Sequence, residues 1–263
     1  MNIMNTNLYI LLITGALVGA VSGYLGSFMV LKRMSLVGDA LSHVALPGMA
    51  IALILNLNPM LGAFVALTLA VIGVWYLSEK SEIYPEALVG VFFTASLAIG
   101  ILITPKPELL EALFGNFEKI NIFDGVIIAA SSALIFTAVS LISKKLLLGI
   151  VSEDLAKAEG IKMKNINLIY LLLVGFVVAL GVKFVGTLLM GALVVVPAVA
   201  AKNLSGSIKS YQILGSLLGV VSVVFGLLIS SYFHFSSGPI IVLVSILIFL
   251  LSYIFKKHRP NGT

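Results

Sequence analysis

Two side chains capable of chemistry stand four residues apart inside an otherwise apolar stretch. They are Asp39 and His43, in the run Ser35-Leu-Val-Gly-Asp-Ala-Leu-Ser-His-Val-Ala-Leu-Pro-Gly. On an α-helix that spacing puts both on one face. A carboxylate within hydrocarbon costs about 2.5–3.5 kcal/mol on insertion scales, and such groups mark ion pathways or proton relays. Asp39 is the only acid clearly inside an apolar span. Pro47 has no N–H to give to the carbonyl of residue 43, so an acceptor is freed and a kink is expected beside His43. Pro197, inside a later apolar run, is expected to kink its helix in the same way. The Ser42 hydroxyl adds a possible further oxygen ligand. Carboxylate with imidazole suits manganese, iron(II) or zinc, and the absence of cysteine argues against copper(I). Spacing alone leaves three readings open. The pair is structural glue between helices, a proton relay, or part of a metal site whose other ligands come from other spans or a second copy of the chain.

The elements that must position this pair are membrane spans. Of 263 residues, 60% are hydrophobic and 10% charged, where soluble domains carry roughly a quarter charged. A hydrocarbon core of ~30 Å takes about 20 apolar residues per helix. Nine apolar runs meet that need: 8–31, 36–56, 59–78, 88–104, 122–143, 167–184, 186–203, 211–231 and 239–255. The sixth and seventh join so closely at Val185–Gly186 that one is readable as a broken or re-entrant element, which leaves eight spans as the alternative. The expected fold is an all-α, polytopic transmembrane bundle forming a single domain over 1–263. Its first run is a retained span, because no basic segment precedes it.

Orientation follows from lysine and arginine. With the loop 144–166 in the cytoplasm, thirteen basic residues fall inside, Lys32, Arg33, Lys144 and Lys145 among them. Only Lys106, Lys119 and Lys183 fall outside, a strong positive-inside bias. The N-terminus is then outside and the C-terminus cytoplasmic. The net charge of +5 reflects this topology and is no argument for a nucleic-acid partner. Gly15, Gly19, Gly23 and Gly26 form a small-residue ridge, expected to serve packing within the chain.

Other chemistry is missing from the sequence. There is no Gly-x-x-x-x-Gly-Lys-[Ser/Thr] run and no His-Glu-x-x-His, so neither a P-loop nucleotide site nor the commonest metalloprotease site is encoded. His234 and His258 fall in a short loop and the basic tail. The largest cytoplasmic loop reads as a short helix: Ser152 as N-cap, Glu153 and Asp154 in the first turn, and Gly160 as the stop. Two turns do not persist alone in water, so this helix must dock on its own bundle or on a partner.

These residues resemble a family. Arg33-Met-Ser-Leu-Val-Gly-Asp-Ala-Leu-Ser-His-Val-Ala-Leu-Pro-Gly is similar to the second-span signature of the permease subunits of bacterial zinc, manganese and iron ABC importers. Val185-Gly-Thr-Leu-Leu-Met-Gly-Ala-Leu-Val-Val-Val-Pro-Ala-Val-Ala-Ala resembles the family's second well-marked block. Glu153-Asp-Leu-Ala-Lys-Ala-Glu-Gly resembles its coupling loop, and Phe114-Gly115 and Ser237-Gly238-Pro239 also fit. The resemblance implies a multi-pass protein of the bacterial plasma membrane, working with a second permease, two cytoplasmic ATPase subunits and an extracytoplasmic solute-binding protein. It implies that Asp39 and His43 line the metal path. It also implies that the loop carrying Ser152, Glu153, Asp154, Leu155, Ala156, Ala158 and Gly160 contacts the ATPase. The metal is cargo rather than a resident cofactor, and ATP hydrolysis belongs to another subunit. On the residues alone, a proton-coupled metal carrier titrating Asp39 is the alternative.

Overall fold

The computed structural model describes residues 2–81, 83–104, 113 and 122–255. The pair Phe114–Gly115 and the basic tail beyond Phe255 lie outside the described residues. Among the described residues ten helices follow one another: α1 (Asn2–Leu31), α2 (Ser35–Ile54), α3 (Pro59–Lys80), α4 (Pro85–Ile103), α5 (Ile122–Val151), α6 (Glu153–Ala158), α7 (Met163–Val185), α8 (Met190–Leu204), α9 (Ile208–Phe233) and α10 (Ser237–Ile254).

Their ends have local causes. Pro59 opens α3 behind Asn58, whose side chain accepts from the Met60 N–H at 2.9 Å. Pro85 opens α4, and the Ser207 hydroxyl accepts from the Ser210 N–H at the start of α9. α5 runs eight residues past its expected end at 143, because Lys144 and Lys145 leave the apolar run without leaving the helix.

Among the described residues, eight helices are long and apolar enough to cross a membrane. The remaining apolar run, the seventh, forms α8, whose 15 residues rise only about 22 Å at 1.5 Å each, shorter than a hydrocarbon core of ~30 Å. The junction read as broken is so: α7 stops at Gly186, whose φ of +81° is open to glycine, and the chain turns over 186–189 before α8 begins.

Lipid is as apolar as leucine, so close backbone approach, not hydrophobic exclusion, holds such helices together. The glycine ridge of α1 provides that approach. A Cβ on Gly19 would stand 2.5 Å from the Gly219 carbonyl oxygen of α9, and one on Gly23 would collide with the Gly215 carbonyl. Gly26 turns instead to the Val194 carbonyl of α8. Gly48 and Gly62 make the same contact between α2 and α3. The ridge is therefore intramolecular packing, as its sequence suggests. Hydroxyls within spans return to their own helix, as Thr14 does to the Ile10 carbonyl at 2.6 Å and Ser245 to that of Ile241 at 2.9 Å.

The short helix α6 docks on its own bundle. Ser152 caps it, accepting from the Leu155 N–H at 3.3 Å. Gly160, at φ +73°, closes it: its N–H reaches the Lys157 carbonyl while that of Ile161 reaches Ala156. Ala156 is fully buried in the core, whereas Asp154, Leu155 and Ala158 are exposed. Replacing Gly19 with Val should force α1 and α9 apart. A loss of ~1–3 kcal/mol is expected for such overpacking, read as a lower thermal midpoint of the purified protein in detergent.

Candidate metal path

The path begins from one stripe of α2. Leu36, Asp39, Ala40 and His43 follow the helical repeat and share a face. The first three line a cavity of about 300 Å³, whose other wall is the first turns of α4 with Glu86, Gly90 and Phe93. Leu36, on the α2 wall, is 75% exposed. Nothing stands within 4 Å of where a Gly90 Cβ would lie. Among the described residues only two helices, α2 and α4, wall the cavity.

Asp39 is half-buried and reaches this space. His43, one turn further along the stripe, is buried, and its Nδ1 has no hydrogen-bond partner among the described residues. The Phe93 ring covers it edge-on, with centroids 5.2 Å apart and planes at 62°. Phe93 thus touches both the cavity and the imidazole, and it separates His43 from the open space that Asp39 sees. Among the described residues no group of three His, Cys, Asp or Glu side chains gathers closely enough to hold a metal. Asp39 and His43 offer two ligands, so further ligands must come from elsewhere.

Ser42 points a different way. Its hydroxyl lies within hydrogen-bond reach of the Thr187 carbonyl in the turn between α7 and α8, and 2.6 Å from its own helix's Asp39 carbonyl. It is absent from the cavity wall and serves the helix break. On the opposite flank of that break, Ser237 of α10 donates to the Phe184 carbonyl at 2.7 Å. Gly191, on the first turn of α8, meets Asp39 directly. A Cβ there would stand 2.6 Å from the Asp39 Cα and 2.7 Å from Oδ1. Pro47 and Pro197 both lie inside their helices.

Four contributors went unnamed by the sequence reading: Glu86, Phe93, Thr187 and Gly191. Glu86 looks like an ordinary acid at the start of a span, and Phe93 like any lipid-facing aromatic. Gly191 did lie in a run already singled out, and a glycine among bulky aliphatics was a readable signal of close approach.

Fold and site together define a multi-pass membrane protein with a polar stripe on one of its most buried spans. Residues 4–256 match the family described as the ABC 3 transport family, and the chain belongs to it. It is 33% identical over 252 residues to the manganese transport system membrane protein MntC of Listeria monocytogenes, covering 94% of this chain and 90% of that protein. It is 36% identical over 253 residues to the manganese import system permease protein ScaB of Streptococcus gordonii, covering 94% and 91%. With the high-affinity zinc uptake system membrane protein ZnuB of Haemophilus influenzae it shares 29% identity, over 94% of this chain and 97% of that one. The solved structure of PsaBC from Streptococcus pneumoniae in complex with Fab superposes with a TM-score of 0.83 at 34% identity, covering 94% and 91% of the two chains. The chain is accordingly a multi-pass protein of the bacterial plasma membrane.

Gly191→Ala should displace Asp39 and lower the thermal midpoint, since a new methyl in a closed contact costs ~1–3 kcal/mol. Phe93→Ala should uncover His43. With His234 and His258 replaced by Gln, reaction with diethyl pyrocarbonate is expected to rise several-fold, read by mass spectrometry of the His43 peptide.

Proposed function

We propose that this chain is the membrane-spanning subunit of an ATP-driven importer for a divalent transition metal, manganese, zinc or iron. The observation that carries the proposal is the Asp39–His43 stripe, a carboxylate beside a cavity and, one turn further in, an imidazole whose Nδ1 has no hydrogen-bond partner among the described residues. A soft-to-borderline nitrogen and a hard oxygen suit these ions. Relatives named for manganese and for zinc transport support the same cargo class.

Asp39 and His43 hold the ion transiently, since transport needs binding weak enough to release. Ser42 positions the helix break beside them. The side of the cavity left open by α2 and α4 is closed by a second copy of the permease, which brings its own Asp39 and His43 to the path. The end bearing Lys32 and α6 is cytoplasmic, with the N-terminus outside and the C-terminus inside. Cytoplasmic ATPase subunits dock on the exposed face of α6, at Asp154, Leu155 and Ala158, while Ala156 holds that helix to its own bundle. A solute-binding protein delivers metal at the other end. ATP-driven closure then alternates access to the stripe.

The experiment is uptake of radiolabelled manganese or zinc into vesicles carrying this chain with its ATPase subunits and solute-binding protein. Asp39→Ala and His43→Ala should each cut uptake at least 10- to 100-fold, roughly the loss that follows disturbance of a metal's immediate surroundings, while assembly with the ATPase is retained. Wild-type uptake in either variant would sink the assignment. Uptake that persists without the ATPase subunits would move the reading to a proton-coupled carrier.

A further inference from the structure

Lys32 follows the last residue of α1, where a positive charge at the membrane edge needs no special partner. It is nonetheless half-buried and engaged on several sides. Its Nζ donates to Asn167 Oδ1 on the second turn of α7 at 2.7 Å. The same ammonium stands over the fully buried Tyr170 ring, 5.1 Å from the centroid. Burial lowers its pKa from the ordinary lysine value, and the Glu153 carboxylate on α6 opposes that shift. One side chain therefore links the end of α1 to α7.

What lies on either side of this contact is stiff. Between α1 and α2 there are only three residues, and they form a closed cap. The Arg33 N–H reaches the Val30 carbonyl at 3.2 Å, and the Met34 N–H reaches Met29 at 2.9 Å. Arg33 sits at φ +60°, a left-handed position costly for a residue with a Cβ. Such a turn has little slack, so a displacement of Lys32 is passed to Ser35 and along α2. Asp39 lies about 6 Å further on, at 1.5 Å per residue. On the other side, the Gly160 cap joins α6 to α7 by the same pair of bonds, with Ala156 buried beneath it. α6 and the start of α7 therefore form one unit.

We propose that Lys32 is the strut by which displacement of the α6–α7 unit is passed to α2 and so to Asp39, coupling the cytoplasmic partner to the metal path. The inference rests on the reading of the chain as the permease of an ATP-driven importer. Lys32 is a positioning residue and never touches the ion. An element that transmits motion must be held at both ends, and here both ends are capped turns.

The test uses the complete importer in vesicles, with ATP hydrolysis and manganese uptake measured together. Stimulation of wild-type uptake by ATP comes first, because its absence would defeat the importer reading itself and not the strut. Lys32→Met keeps the aliphatic stem over Tyr170 and removes the donor, and Asn167→Leu removes the acceptor. In each, ATP hydrolysis should stay within about twofold of wild type while manganese moved per ATP falls roughly five- to tenfold, the lower range of coupling between sites. Lys32→Arg, which keeps charge and donors, should retain most of the coupling. Where Lys32→Met fails to assemble, the native chain's lack of cysteine allows a substitute. Lys32→Cys with Asn167→Cys should be uncoupled as thiols and recoupled by a short bifunctional thiol reagent. Wild-type uptake per ATP in Lys32→Met or Asn167→Leu, or no recoupling by the cross-link, would overturn the proposal.

Discussion

Every backbone N–H and C=O within hydrocarbon must find a partner inside the protein, and the break between α7 and α8 is where this requirement bears hardest. Irregular backbone survives at membrane depth only when buried against other protein groups. Here the Phe184 carbonyl is met by Ser237, the Thr187 carbonyl by Ser42, and the Leu188 N–H by the Leu113 carbonyl. Those partners come from α10, α2 and the segment after α4, so the break pins together elements distant in sequence. Because Ser42 is one of the pins, the turn is fastened beside Asp39 and His43. The site's geometry follows from satisfying the break.

Charge obeys a related rule. Lys183 is the one described basic residue at the end opposite Lys32, and it is not left to the lipid edge. It pairs with Asp124 of α5 at 2.7 Å, both side chains largely buried, so its charge is answered within the bundle. At the other end, Lys164 pairs with Glu79 and its carbonyl accepts from the Trp75 indole. Against that background Asp39 is conspicuous: it faces a cavity, and among the described residues no lysine or arginine lines that cavity with it.

Asp39, Phe93 and Gly191 also show how packing refines chemistry. The stripe on α2 exists in any helix made from this sequence. What divides it, giving Asp39 to the cavity and His43 to the interior, is one aromatic ring from α4 and a helix end from α8 that comes close only because residue 191 lacks a Cβ. The loop carrying α6 follows the same logic. Its sequence made a capped two-turn helix, and burial of Ala156 decided which face stays exposed.

The all-α membrane bundle, most span ends to within four residues, the cap at Ser152 and the shared face of Asp39 and His43 were legible in the sequence, because hydropathy, helical period and capping are local properties of the chain. The broken junction at Gly186 was legible too, though not which atoms would hold it. Tertiary structure alone decided that Ser42 serves the break rather than the cavity, that Phe93 and Glu86 line the cavity with Asp39, and that Lys32 reaches α7. Those contacts join residues 50 to 145 positions apart, and no spacing rule along one helix reports on what a second helix brings to it.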